Sequence, residues 1–324
     1  MRREPSGHAK AALLAIATLI GALMGAPVAE AGSANSSRPL PVPYTFAAGV
    51  LAELATPGAS PPGANDFSCR PSPAHPRPVV LLHDFGANMT DSWQTVSPLL
   101  HNNGYCVFAL TYGTYPRVDP TLQLGGLDYI QNSAAKVAAF VQRVLTATGA
   151  DKVDLVGWSE GGLLARYYIQ FDGGAKVVNA DIGLASANGP TNISQLIFAT
   201  AKLSPAAAAV VKLFVSGAES LIPLAGQAAD PTLEAQLDVH GGTSDSVHYT
   251  NIASNYDELV PPSSAFVPTG LHVTNVVLQA GCPLDLTDHL AIVADPRAMW
   301  FMLNALDPTH PSPPTCTLVV PVIG

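Results

Sequence analysis

The sequence predicts an α/β fold in which a mostly parallel central sheet is covered by helices on both faces. Short apolar segments of strand character alternate along the chain with segments whose apolar residues recur at helical spacing. The strand segments are continuously apolar, as expected of strands that are covered on both faces. Such alternation is typical of right-handed parallel crossovers, and 324 residues are enough for one such domain.

The predicted elements follow one another at regular spacing in the first part of the chain. They are a strand at 77–83, a polar loop at 84–91, a helix capped by Asp91 that ends near Gly104, a strand at 106–112, a helix at 127–145 closed by Gly149, a strand at 153–156, a helix through 163–171 and a strand at 177–186. No strand is evident in 189–245. The sheet resumes with strands at 247–253 and 272–279, and Asp295-Pro296 opens a last helix.

Composition and charge narrow the class of protein. Apolar residues make up 48% of the chain and charged residues 12%, which argues against disorder over most of its length. The net charge is −9 and no basic block is present, which argues against binding to nucleic acid or to anionic membranes. The sequence contains no His-Glu-x-x-His, paired Cys-x-x-Cys or phosphate-binding Gly-rich motif, so no metal and no cofactor are expected.

The N-terminal residues predict export. Basic residues precede an uncharged Ala- and Leu-rich stretch, 11–26, and Ala29-Glu30-Ala31 supplies the small-x-small pattern of a signal-peptidase site. We therefore expect a signal peptide at 1–31 and a single mature domain at 32–324. The uncharged stretch is also long enough for a retained membrane anchor, which is the alternative. After cleavage no membrane span is expected, and we expect a secreted monomer.

Four cysteines in an exported chain predict two disulfides, with three possible pairings. Cys69 precedes the first strand and Cys106 begins the next one. The starts of parallel strands lie at the same end of a sheet, so a Cys69–Cys106 bond is reasonable. Cys282 is then left to pair with Cys316.

Gly157-Trp158-Ser159-Glu160-Gly161 lies between a predicted strand and a predicted helix. A Gly-x-Ser-x-Gly pattern in this context predicts a sharp turn that presents a nucleophilic serine, Ser159. A serine nucleophile requires a base that takes its proton and a carboxylate that orients the base. In such arrangements the acid and the base follow the serine on loops after later strands.

Five histidines follow Ser159, at positions 240, 248, 272, 289 and 310. His289 is the expected base because it lies in the loop between the last predicted strand and the last helix. Asp257 follows the preceding strand and is the expected acid, with Glu258 as the alternative. Asp288 is expected to hydrogen-bond within its loop. The oxyanion donors should be the backbone N–H of Glu160 and one N–H from the loop 83–86.

Several segments resemble secreted actinobacterial class 2 lipases of the α/β-hydrolase superfamily. They are Pro78-Val-Val-Leu-Leu-His83, Asn88-Met-Thr-Asp-Ser-Trp93, Asn103-Gly-Tyr-Cys-Val-Phe-Ala-Leu110, the Ser159 turn with Arg166-Tyr-Tyr168, Ala253-Ser-Asn-Tyr-Asp-Glu258 and Asp288-His289. The resemblance implies an α/β-hydrolase fold and extracellular hydrolysis of carboxylic esters such as triacylglycerols. It also implies Ser159, Asp257 and His289 as the triad, and both disulfides. It implies further that 189–245 form a cap, whose alternative is ordinary helices packed on the sheet.

This chain departs from the family pattern beside the predicted nucleophile. His83 is followed by Asp84 where the family usually has glycine, and a carboxylate there would disfavour developing negative charge. Trp158 and Glu160 replace the usual His and Gln of the turn. Because the oxyanion donors are main-chain groups, Phe85 and Glu160 remain the expected pair. Two alternatives to ester hydrolysis stay open: acyl transfer to a cell-envelope acceptor by the same triad, and a weakly active lipid-binding protein.

Overall fold

Six strands form one sheet in the described part of this protein, whose structure is a computed structural model. The strands are β1 Val79–Leu82, β2 Val107–Leu110, β3 Val153–Trp158, β4 Val178–Leu184, β5 His248–Ala253 and β6 Val273–Val277. Their order across the sheet is β2-β1-β3-β4-β5-β6. All five pairings are parallel, and each strand ends within two residues of its predicted bounds. The predicted parallel sheet is therefore confirmed.

The structure describes residues 38–114, 123–192, 236–238 and 242–324. Within them, Leu40–Gly324 belong to one compact unit. The predicted signal peptide and most of the predicted cap lie outside the described residues. Among the described residues, no helix is long and apolar enough to cross a membrane.

Seven α-helices are described around the sheet. They are α1 Ala47–Ala55, α2 Met89–Ser92, α3 Val96–Asn102, α4 Ile130–Thr148, α5 Glu160–Phe171, α6 Pro262–Ala265 and α7 Pro296–Leu306. Alternate residues of β1 show how the helices cover the sheet. Val80 and Leu82 pack in one buried cluster with α4 and α5, whereas Val79 and Leu81 pack in another with α3 and α7. Coverage of both faces explains why the strands are continuously apolar.

The first helix after β1 begins differently from the prediction. We expected Asp91 to cap it, but Asn88 is the N-cap of α2, and its side chain accepts hydrogen bonds from the backbone of Thr90 and Asp91. Asp91 instead accepts from the backbone N–H of Asn88 at 3.0 Å. This reciprocal capping box satisfies N–H groups at the start of the helix, and a second short helix, α3, follows.

Both expected disulfides are present in the structure. The Cα–Cα distance is 5.8 Å for Cys69–Cys106 and 5.3 Å for Cys282–Cys316. The first bond ties the segment before β1 to the start of β2, in agreement with the parallel arrangement of these two strands.

Removal of the Cys69–Cys106 bond by a double serine substitution should lower the free energy of unfolding. The bond closes a loop with a sequence separation of 37, and we expect a loss of about 3–4 kcal/mol from the freed entropy of the unfolded chain. Urea unfolding of the wild type and the variant measures this difference. The Cys282–Cys316 bond closes a loop with a similar sequence separation of 34. A matched variant without this bond should lose a similar free energy of unfolding. A loss below about 1 kcal/mol for both would contradict the chain-entropy argument.

Candidate active site

Ser159 occupies the sharp turn between β3 and α5. Its φ of 53° and ψ of −114° lie where a non-glycine residue is strained, which is expected of a residue held for function. The backbone N–H of Ser159 donates to the carbonyl oxygen of Leu184 at 3.0 Å, and its own carbonyl accepts from Ala187. Both partners belong to β4 or the loop directly after it, so the neighbouring strand fixes the turn.

Two glycines allow this turn to pack against the sheet. A Cβ atom at Gly157 would lie 2.5 Å from the carbonyl group of Gly161. A Cβ atom at Gly161 would lie 2.0 Å from the carbonyl oxygen of Leu82, at the end of β1. Neither position has room for a side chain, because α5 lies so close to the strands. This close approach explains why both positions of the Gly-x-Ser-x-Gly pattern are glycine.

The structure brings the three predicted triad residues together. His289 Nε2 lies 3.0 Å from Ser159 Oγ, and His289 Nδ1 lies 2.7 Å from Asp257 Oδ2. All three side chains are buried. Asp257 lies on the loop after β5 and His289 lies between β6 and α7, at the carboxyl end of the sheet. The arrangement can move a proton from the serine hydroxyl to the imidazole and orient the imidazole for that transfer.

Asp257 is held in a fixed orientation by its own loop. Its Oδ1 accepts hydrogen bonds from the backbone N–H groups of Leu259 at 2.8 Å and Val260 at 2.7 Å, which directs Oδ2 at His289. The adjacent Asp288 accepts from the backbone of Ala291 and Val322, as its predicted loop role requires.

The other histidines lie elsewhere. His248 and His272 contact each other at the amino-terminal ends of β5 and β6, with ring centroids 4.9 Å apart. They help to line a cavity of about 420 Å³, which is larger than the cleft at Ser159 but lies at the opposite end of the strands. His310 is exposed and contacts Asp307, and His240 lies outside the described residues.

Trp158 has a contact that the sequence did not predict. Its indole Nε1 donates to the backbone carbonyl oxygen of His289 at 3.1 Å, and the two rings are 5.9 Å apart. The residue directly before the nucleophile thus holds the loop that carries the expected base. Its position in the turn sequence is the only signal that could have indicated this.

The two expected oxyanion donors point at the same atom. The backbone N–H of Phe85 donates to Asp84 Oδ1 at 2.6 Å, and the backbone N–H of Glu160 donates to it at 3.4 Å. The other carboxylate oxygen, Asp84 Oδ2, lies 3.6 Å from His289 Nε2. A side-chain carboxylate therefore occupies the position toward which the donors converge.

The charges around His289 favour its protonated form. Burial alone would lower the pKa of His289, but hydrogen bonds and charge interactions with Asp257 and Asp84 outweigh burial and raise the pKa to about 10. The Glu160 side chain is buried close to the Asp84 carboxylate. Burial, together with the negative charge of Asp84, raises the pKa of Glu160 well above its usual value. The surroundings therefore favour the imidazolium form of His289 and the protonated form of Glu160.

His83 fixes the backbone of the loop that carries Asp84. The N–H of Tyr112 donates to His83 Nε2 at 3.1 Å, so the ring proton is on Nδ1, which donates to the carbonyl oxygen of Asp84 at 2.8 Å. Burial lowers the pKa of His83 to about 4, which keeps the ring neutral.

Two backbone hydrogen bonds to Gly125 also fix the same loop. Gly86 N donates to the carbonyl oxygen of Gly125 at 2.9 Å, and Gly125 N donates to that of Ala87 at 2.8 Å.

The described chain also holds no group of three or more acidic, His or Cys side chains that could bind a metal ion.

Comparisons with known proteins agree with this architecture. Residues 76–188, which run from before β1 to after β4, match the model of the family described as lipase (class 2). A stretch of 95 residues is 34% identical to a triacylglycerol lipase of Pseudarthrobacter phenanthrenivorans and to one of Burkholderia plantarii. That stretch is 28% of this chain and spans about a quarter of each relative, 27% and 24% respectively.

Solved structures extend the likeness in fold beyond that stretch. Aspergillus fumigatus lipase B superposes with a TM-score of 0.56 over 89% of this chain and 64% of its own, at 18% identity. The propeptide form of Bacillus licheniformis lipase BlEst2 gives a TM-score of 0.51 over 81% of this chain and 55% of its own, also at 18% identity. The chain therefore has the α/β-hydrolase fold, and its residues 76–188, which include the strained serine turn, match the class 2 lipase family.

Proposed function

We propose that this protein is a secreted serine hydrolase that cleaves carboxylic esters through an acyl-enzyme intermediate. The observation that carries the proposal is the hydrogen-bonded chain from Ser159 through His289 to Asp257, with distances of 3.0 Å and 2.7 Å. A nucleophile, a base and an orienting acid in contact are the arrangement that serine acyl transfer requires.

In the proposed reaction, Ser159 Oγ attacks the ester carbonyl carbon while His289 Nε2 takes the hydroxyl proton. The tetrahedral intermediate places its oxyanion at the N–H groups of Phe85 and Glu160. The bond to the leaving alcohol then breaks, and His289 gives the alcohol its proton. A water molecule attacks the acyl-enzyme in the same way, which releases the acid and restores Ser159.

The proposed substrates are esters with an apolar acyl chain. The cleft at Ser159 is lined on one side by apolar groups of Ala187, Leu259 and Val260. The curated relatives are triacylglycerol lipases, which supports lipid esters such as triacylglycerols as substrates. Residues 189–245 are proposed to cap the site and to contact a lipid–water interface.

Export is part of the proposal. Two disulfide bonds are typical of proteins that function in an oxidising compartment, and the signal-peptide pattern at 1–31 agrees with secretion. We propose that the mature protein begins near Gly32 and acts as a monomer. N-terminal sequencing and light scattering of the protein from a culture medium test these two statements.

The activity is tested with a series of nitrophenyl esters of increasing acyl length and with a serine-directed fluorophosphonate. We expect hydrolysis of at least part of the series and covalent labelling at Ser159. Absence of both would refute the proposed function. Product analysis with an added acceptor alcohol separates hydrolysis from acyl transfer, because transfer yields a new ester instead of the free acid.

A further inference from the structure

We propose that the Asp84 side chain is an internal inhibitor that occupies the oxyanion site of the resting enzyme and must rotate away before an ester can react. This inference rests on the proposed function, because it concerns how the same site binds the ester carbonyl. It assigns to Asp84 control of access to the two oxyanion donors.

The geometry of Asp84 corresponds to that of a bound reaction product. The acid released from the acyl-enzyme would place one carboxylate oxygen at the two backbone donors and the other toward the base. Asp84 Oδ1 accepts from Phe85 N at 2.6 Å and lies 3.4 Å from Glu160 N, while Asp84 Oδ2 lies 3.6 Å from His289 Nε2. The side chain therefore makes the contacts of an acid product that cannot diffuse away.

Electrostatics strengthen this occupancy. Asp84 is only 14% exposed, and attraction between its carboxylate and an imidazolium is strong where solvent screening is low. The titratable groups that face His289 are Asp257 on its Nδ1 side and Asp84 and the Ser159 hydroxyl on its Nε2 side. Glu160 packs beside Asp84. The resting site thus holds a negative charge where the reaction must create one.

The loop backbone cannot move away easily, so release has to come from the Asp84 side chain. The carbonyl oxygen of Asp84 accepts from His83 and from the backbone N–H of Ala87. Gly126 packs so closely that a Cβ atom there would lie 2.8 Å from the Phe85 Cα atom and 3.0 Å from the Asp84 carbonyl oxygen. The Asp84 side chain itself borders the open cleft at Ser159. Rotation about its side-chain torsions into that cleft frees both donors without movement of the loop.

The test compares Asp84→Ala, Asp84→Asn and wild-type protein. We expect Asp84→Ala to raise kcat/KM for a short-chain nitrophenyl ester, and the rate of fluorophosphonate labelling, by about 10- to 100-fold, since one oxyanion donor can be worth about 10²–10³ in kcat. Asp84→Asn removes the charge but keeps an oxygen that can accept a hydrogen bond from Phe85 N. Its rates should therefore lie between those of the wild type and those of Asp84→Ala. Asp151→Ala is the matched control. Asp151 is exposed just before β3, at the opposite end of the sheet, and its loss changes the net charge equally.

The pH profile separates internal inhibition from a general structural effect. His289 must be neutral to accept the Ser159 proton, so kcat/KM rises with pH through the pKa of His289. Two carboxylates raise that pKa to about 10. Loss of Asp84 should move the rising limb of the profile to lower pH, and Asp151→Ala should not move it.

Each outcome is decisive. Rates of Asp84→Ala equal to or below those of the wild type, with an unshifted pH limb, would overturn the inference while Ser159-dependent activity of the wild type upholds the proposed function. If Asp84→Ala does not fold, Asp84→Asn takes its place, and rates no higher than wild type overturn the inference. No activity and no labelling in wild type and variants alike would refute the proposed function itself.

Discussion

Ser159→Ala should lower kcat/KM for a nitrophenyl ester by about 10⁴- to 10⁶-fold, because it removes the atom that forms the acyl-enzyme. Ser159 Oγ lies 3.0 Å from His289 Nε2, and no other hydroxyl is described at that nitrogen. Alanine keeps the Cβ atom of the strained turn, so the elbow should retain its shape. The fluorophosphonate adduct should disappear in parallel, which mass spectrometry of the intact protein measures.

The control for this variant is Ser133→Ala. Ser133 is also buried, but it lies in α4, and its hydroxyl has no hydrogen-bond partner among the described residues. We expect wild-type kinetics and labelling from this control. If Ser159→Ala kept more than about a tenth of wild-type kcat/KM, the nucleophile would have to be another residue, since a serine nucleophile accounts for several orders of magnitude.

Asp257→Asn should lower kcat by about 10⁴-fold, because it would change which ring nitrogen of His289 carries the proton. The backbone N–H groups of Leu259 and Val260 donate to Asp257 Oδ1, and an asparagine would keep its amide oxygen there. Its NH₂ group would then face His289 Nδ1, which would have to accept a hydrogen bond. The ring proton would move to Nε2, where it prevents the base from accepting the Ser159 proton.

Glu258→Gln is the matched control for Asp257→Asn, and it also tests the other carboxylate that the sequence left open. It should leave kcat within about threefold of wild type, as expected of a substitution that does not contact the reacting groups. KM measurements on the same ester show whether the loss in Asp257→Asn lies in kcat. A larger loss in Glu258→Gln than in Asp257→Asn would transfer the orienting role to Glu258.

The sequence alone predicted the architecture because its signals are local and repeated. Continuously apolar strand segments alternate with helices of 3.6-residue periodicity. This pattern predicts a parallel sheet covered by helices on both faces, without knowledge of any particular side-chain contact. Ser159, Asp257 and His289 follow β3, β5 and β6 in that order, and their meeting could be predicted because parallel strands end at one edge of the sheet. The Cys69–Cys106 pair follows from that same topology, and Cys282–Cys316 is then the pair that remains.

Capping and side-chain direction were decided only by the tertiary structure. Asn88 and Asp91 are both competent caps, and the choice between them depends on which backbone N–H groups the folded loop presents. Likewise, a Trp158 indole bonded to the His289 carbonyl joins residues that are 131 positions apart, which no local pattern encodes.

Asp84 shows this division most clearly. Its place in the sequence indicated a carboxylate near the oxyanion loop, but not that Oδ1 would face the N–H groups of Phe85 and Glu160 while Oδ2 faces His289. Those contacts join the loop after β1, the Ser159 turn and the loop before α7. The sequence therefore determined which chemical groups meet at the edge of the sheet. The three-dimensional packing of three separate loops determined which of those groups holds the oxyanion site.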